Sequence, residues 1–173
     1  MQRSLNTIAA LLQQNHVGIF PCDTIWGLIG CRNDEVEATL RQLKCRDKNH
    51  PFIVLVHTKA EALALCEPLT SFQEQVLDEY WPGPVTVVLP RLGGGTIGIR
   101  LPDSRRLVEL IGLVGPLYST SINISGERPV RDESEIPESI RSSIAFIARD
   151  DKSFGGEPSR IISVIDNEKT FLR

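Results

Sequence analysis

The sequence predicts an α/β fold on a twisted sheet of mixed parallel and antiparallel strands, flanked by helices. Three observations carry this. Helical periodicity and short apolar runs alternate over the first half, as in βα units. Strand-like segments then crowd together in the middle, which a purely doubly wound sheet would not give. No linker, repeat or low-complexity block divides the 173 residues. A single domain over 1–173 is therefore expected.

The elements follow in order. Leu5, Ile8 and Leu12 share one helical face between about Ser4 and Gln14. Val17–Pro21 is a short apolar run stopped by proline, hence a buried strand, and Trp26–Gly30 reads as a second. Asp34 with Glu37 matches a capping box, opening a helix that lines up Val36, Leu40 and Leu43 and ends near Lys44. Phe52–Val56 is continuously apolar, as in a strand buried on both faces. Thr58 with Glu61 is a second capping box before an Ala/Leu helix. Phe72, Val76 and Tyr80 mark a helix stopped by Pro82 and Gly83. Val85–Leu89 and Thr96–Leu101 read as strands joined by a loop containing Gly93, Gly94 and Gly95. Asp103 or Ser104 caps a helix carrying Leu107, Leu110 and Ile111, and Leu117–Thr120 is a strand. Beyond it, Ser134–Ser143 reads as a helix, with Ala145–Ala148 and Ile161–Ile165 as strands.

Composition narrows the functional classes. Hydrophobic residues make up 41% and charged residues 24%, a globular balance that speaks against disorder. The net charge of −3 disfavours bulk attraction to nucleic acid, so a bound polyanion must meet a local basic patch. Cys22, Cys31, Cys45 and Cys66 form no C-x-x-C, and His16, His50 and His57 complete no zinc pattern. Reduced thiols and no metal site are expected. The uncharged stretch Ser4–Cys22 contains Asn6, Gln13, Gln14, Asn15 and His16, costly groups in lipid, so the expectation is a soluble cytoplasmic protein with no membrane partner.

Four stretches carry candidate chemistry. Lys44-Cys45-Arg46-Asp47-Lys48-Asn49-His50-Pro51 places three cations and a histidine between a helix end and a buried strand. Guanidinium and ammonium groups there suit phosphate or carboxylate, though on charge alone a solvated turn at the helix C-terminus is the more ordinary reading. In Ser119-Thr120-Ser121-Ile122-Asn123-Ile124-Ser125-Gly126, alternation puts Ser119, Ser121 and Asn123 on one face of an extended chain. That face can hold phosphate oxygens, or make local turns with its own backbone. Phe20–Gly27 sets Asp23, Thr24 and Trp26 after a strand end, and Trp81-Pro82-Gly83-Pro84 is a rigid turn. There is no G-x-x-x-x-G-K-[ST], no G-x-G-x-x-G after a strand and no G-x-S-x-G elbow. Asp150-Asp151 reads as solvated loop charge.

Taken in order, the motifs P-C-D-T-I-W-G-L, K-C-R with Pro51, W-P-G-P-V-T, I-R-L-P, S-I-N-I-S-G and P-S-R resemble the YrdC-like family over about residues 17–165. These are the threonylcarbamoyl-AMP synthases of tRNA modification. The resemblance implies a basic concave groove in which L-threonine, bicarbonate and ATP yield threonylcarbamoyl-AMP and pyrophosphate. The product then passes to a tRNA-modifying transferase complex acting beside the anticodon. By the same resemblance, Lys44 and Arg46 hold phosphates and carbamate, and Ser121 and Asn123 hold the α-phosphate region or its metal; these four are the expected catalytic residues. His50, Thr96 and Ser119 complete the expected ATP site. Thr24, Arg100 and Ser159 are the expected threonine site, and Mg²⁺ is carried by the triphosphate.

Against the family pattern, Cys22 stands for the commonest Thr, Trp26 for Tyr or Phe, Asp47 for Pro, Ile122 for Ala and Arg160 for Thr. Two further readings accompany the first: a non-catalytic module of the same fold binding double-stranded RNA or tRNA, and an enzyme that activates a different amine or a carbamoyl group.

Overall fold

A computed structural model describes residues 4–47, 50–149 and 156–173. Lys48, Asn49 and the pair Asp150-Asp151 lie outside these. Five α-helices and eight strands form where hydrophobic periodicity places them. They are α1 (Leu5–Gln13), β1 (Gly18–Pro21), β2 (Trp26–Cys31), α2 (Asp34–Lys44), β3 (Ile53–Leu55), α3 (Lys59–Leu63), α4 (Ser71–Tyr80), β4 (Val85–Pro90), β5 (Thr96–Arg100), α5 (Arg105–Val114), β6 (Leu117–Ser121), β7 (Phe146–Ile147) and β8 (Arg160–Ser163). A short helix α6 (Glu138–Arg141) precedes β7, and an edge strand β9 (Thr170–Phe171), not foreseen from the sequence, follows β8.

Three local expectations are corrected. The cap of α2 is Asn33, whose side chain accepts from Val36 N at 2.9 Å; Asp34 is the first helical residue, where its charge suits the helix N-terminus. Thr58 caps α3, but the Glu61 carboxylate accepts from His57 N, so the second box is not reciprocal. The helix expected over Ser134–Ser143 is broken into a 3₁₀ turn (Glu133–Glu135) and α6. Pro137 forces the break: Ile136 before it is held extended, with ψ 120°.

The strands join one sheet in the order β7-β1-β2-β6-β3-β5-β4-β8-β9. Its pairing is mixed: β3 runs antiparallel to β6 and parallel to β5, and β4 runs antiparallel to β5 and parallel to β8. Strand alternation sends Leu28, Val54 and Ile99 to the side of α2, α3 and α4. It sends Ile29, Leu55 and Leu117 to the side of α1 and α5, where they meet Ile8, Leu12, Leu107 and Leu110, all fully buried. The core under α1 and α5 draws on β1, β2, β3, β6 and β7 but not on β4, β5 or β8. On that face, among the described residues, no helix covers the sheet towards β5 and β8. No helix of the described residues is long and apolar enough to cross a membrane.

Candidate active site

A cavity of about 170 Å³ occupies the uncovered part of the sheet. Thr24, Arg46, Arg100, Ser119, Ser121 and Ser159 all line it. A second cleft of about 450 Å³ adjoins it, sharing Arg46, Thr120 and Ser121 and adding Lys44, His50 and Asn123. Nine of the ten expected site residues thus come together. Thr96 alone does not: it is exposed at the far end of β5, beside Arg32, Arg91 and Tyr118, in a different cleft.

Two cations leave the end of α2. Lys44 is its last residue, Cys45 turns left-handed at φ 48°, and Arg46 follows. A left-handed non-glycine residue stores strain, and here it sends its two neighbours to different places. Lys44 is 2% exposed, and its ammonium donates to the Ser121 carbonyl at 2.6 Å and to Asn123 Oδ1 at 2.7 Å. Burial, reinforced by Arg46, pushes this ammonium down to about 8, while Glu127 pulls it back. Arg46 lies over the Phe52 ring, 5.1 Å from its centroid. It donates to the Pro51 carbonyl at 3.2 Å and reaches Thr120 Oγ1 at 3.4 Å.

The opposite wall is built on Arg100 at the end of β5, only 3% exposed. It donates to Thr24 Oγ1 at 2.8 Å and pairs with Asp23 at 3.2 Å. Asp23 is held in turn by the N–H of Asp103. The Nε of Arg100 is buried with no hydrogen-bond partner in the protein. Ser159 is buried against Thr86, hydroxyl to hydroxyl at 3.0 Å. Cys22 and Ser119 meet above Gly27; burial pushes the thiol up to about 11, so it stays neutral. His50 is exposed, with its ring 2.9 Å from Asp47.

Sequence reasoning missed Arg173 and Asp23 as site residues. Arg173 follows β9 and lines the cavity, its guanidinium donating to the Ser159 carbonyl at 3.1 and 3.3 Å. Burial and then Arg100 lower its pKa, the second being the mark of two like charges facing one space. Nothing local announces Arg173, because only the β8–β9 pairing brings it back. Asp23 stood in a singled-out motif, but its partner lies 77 residues away. Three guanidiniums, those of Arg46, Arg100 and Arg173, therefore line the small cavity, and the Lys44 ammonium lies in the adjoining cleft. This favours a ligand with several anionic groups, one of them a carboxylate or phosphate at Arg100. Among the described residues no three His, Cys, Asp or Glu are grouped to hold a metal.

Comparisons with known proteins bear on the family. The family model Sua5_yciO_yrdC, described as "Telomere recombination", matches residues 10–173. A threonylcarbamoyl-AMP synthase of Halorhodospira halophila is 33% identical over 142 residues, covering 74% of this chain and 73% of its own. That of Bacillus subtilis is 28% identical over 95% of this chain, which spans only 51% of the relative's length. The fold is that of P. abyssi Sua5 crystallised with L-threonine: TM-score 0.85, 22% identity, 98% of this chain and 53% of that one. A sheet open at β5 and β8, a K-C-R turn at the end of α2 and a family model spanning nearly the whole chain converge on one assignment: the chain belongs to the Sua5/YciO/YrdC family.

Proposed function

We propose that this chain, as one domain over residues 1–173, is an L-threonylcarbamoyladenylate synthase acting in the cytoplasm. The observation that carries the reading is the joining of two clefts at Arg46, Thr120 and Ser121, one ending at Arg100 and Thr24 and the other at Lys44. The first suits an amino acid and the second a polyphosphate.

In this reading Arg100 takes the threonine carboxylate, with Thr24 and Ser159 beside it. The threonine amine and bicarbonate combine to an N-carboxylate, releasing water. A carboxylate oxygen then attacks the α-phosphorus of ATP and pyrophosphate leaves. The attacking group is already an anion, so the protein's task is to hold anions in line and stabilise spreading charge. Lys44, Arg46 and Arg173 are the cations for that, with Ser119 and His50 as further donors; the Ser121 hydroxyl hydrogen is given to Asn123 Oδ1. Asp23 is occupied by Arg100, so Mg²⁺ enters as part of the nucleotide substrate. Thr96 reaches the nucleotide only if ATP extends along β5. The product passes to a transferase complex that modifies tRNA.

The test is pyrophosphate release from ATP and bicarbonate, with L-threonine and with L-serine as control. Threonine-dependent release is expected. No release with any amine, from folded protein, would sink the reading and favour the RNA-binding module. RNA binding would then fall steeply with salt and ignore threonine.

A further inference from the structure

Asn123 was expected to touch the nucleotide, yet its amide has no capacity left for a ligand. Its Oδ1 accepts from Lys44 Nζ at 2.7 Å and from Ser121 Oγ at 2.5 Å. Its Nδ2 donates to the carbonyls of Ile124 at 2.9 Å and Glu127 at 2.6 Å. A side-chain amide has two hydrogens and two lone pairs, and all four are engaged. The orientation is fixed by chemistry: turned over, the NH₂ would face an ammonium and the oxygen two carbonyls. The residue is 6% exposed.

Lys44 is the opposite case. An ammonium has three donors, and two are taken, by Asn123 and the Ser121 carbonyl. The third is left for the cleft that Lys44 lines with Arg46 and Thr120. The backbone ties the same parts together, since Ser125 N donates to the Lys44 carbonyl at 3.0 Å. We infer that Asn123 is a positioning residue: it aims the Lys44 ammonium into the cleft and does not itself bind the nucleotide. What Lys44 does there rests on the synthase reading; the tether does not.

The charges acting on Lys44 are Arg46, which opposes its protonation, and Glu127, which favours it. Asp47 and His50 line the same cleft and are exposed. The Asn123 acceptor stabilises the ammonium, so removing it must make Lys44 easier to deprotonate.

The test reads Lys44 directly, by ¹³C NMR of labelled lysine, with Lys44→Arg assigning the signal. In Asn123→Ala the Lys44 midpoint moves to lower pH, by about one pH unit. In Asn123→Asp, which adds a carboxylate, it moves to higher pH. In steady-state assays Asn123→Ala lowers kcat by about tenfold or more, with ATP KM within roughly threefold of the parent. Circular dichroism and melting establish that each variant is folded; if the alanine variant is not, Asn123→Asp decides by its midpoint. An unmoved midpoint in a folded variant overturns the inference. So does a large rise in ATP KM at unchanged kcat, the signature of a direct contact. If the parent protein shows no turnover, the synthase reading fails alone and the midpoint still decides the tether.

Discussion

Arg100 donates to the Thr24 hydroxyl at 2.8 Å across the floor of the cavity, joining the end of β5 to the loop before β2. The same guanidinium pairs with Asp23, both side chains being less than a tenth exposed. Arg100 is thus the cation that a ligand carboxylate would meet and also the partner of a buried acid. Arg100→Lys keeps a charge for Asp23 but loses the planar fork that grips a carboxylate at two points. Threonine KM should rise by about tenfold or more in a protein that still folds. Arg100→Ala strands Asp23 and should cost about 3–5 kcal/mol in urea denaturation. An unchanged threonine KM in Arg100→Lys would place the carboxylate elsewhere.

Arg173 faces Arg100 and is anchored on the Ser159 carbonyl. Two like charges around one cavity are a cost without ligand and a gain with an anion between them. Arg173 lines the cavity assigned to the amino acid, so Arg173→Gln should raise threonine KM by about tenfold, with ATP KM within roughly threefold of the parent. Its melting temperature should be equal or slightly higher, since a repulsion is relieved. Unaltered threonine kinetics would make Arg173 only a clasp on Ser159.

Much of this was legible in the sequence, for local reasons. α1 and α5 show their buried stripes at helical spacing, and Ser104 caps α5 in one of the two ways expected; in α4 the buried residues are Gln73, Val76 and Leu77, with the expected Phe72 and Tyr80 only partly buried. Lys44 and Arg46 stand at a helix end, where a change of direction displays both. Pairing across distance was not legible. Strand β9 is two residues long and shows no alternation, so Arg173 gave no signal. Asn123 looked like a donor to phosphate because alternation put it on a face with Ser121. Lys44, 79 residues away in sequence, takes that place. Thr96 shares a strand face with Arg100, but four residues of extended chain carry it out of the cavity.

Gly156 lies shortly before β8, packed on the loop of Thr24. A Cβ built there would lie 2.1 Å from the Thr24 carbonyl oxygen, closer than any contact allows. The obstacle is backbone, so one of the two segments must move. Those segments carry Thr24, Pro158 and Ser159, three cavity walls. Gly156→Ala should therefore lower kcat/KM for threonine by about tenfold to a hundredfold, the scale of an ångström misplacement. The change in melting temperature should be modest, because the main core clusters do not involve this segment. Wild-type kinetics would show that the two segments are not held at this distance in solution.

Lys44 links activity and stability with opposite dependence on pH. Its folded pKa, about 8, lies below the 10.5 of a free lysine, chiefly through burial. Between those values the unfolded chain binds a proton that the folded chain does not, so stability rises with pH across that window. Below pH 8 the charged group is buried at full cost. At about 1.4 kcal/mol per pH unit, the relief by pH 10.5 is on the order of 3 kcal/mol. Lys44→Met removes this dependence. The stability of the parent relative to Lys44→Met should therefore climb by that order between pH 7.5 and pH 10, measured by urea denaturation at each pH. Cys22, pushed up to about 11, acts in the reverse sense above pH 9, losing stability as pH rises, but does so in both proteins and cancels. Threonine-dependent turnover should fall above about pH 8, as the ammonium that faces phosphate loses its charge. A stability difference that stays flat with pH would mean that Lys44 keeps an ordinary pKa, and that its two acceptors offset its burial completely.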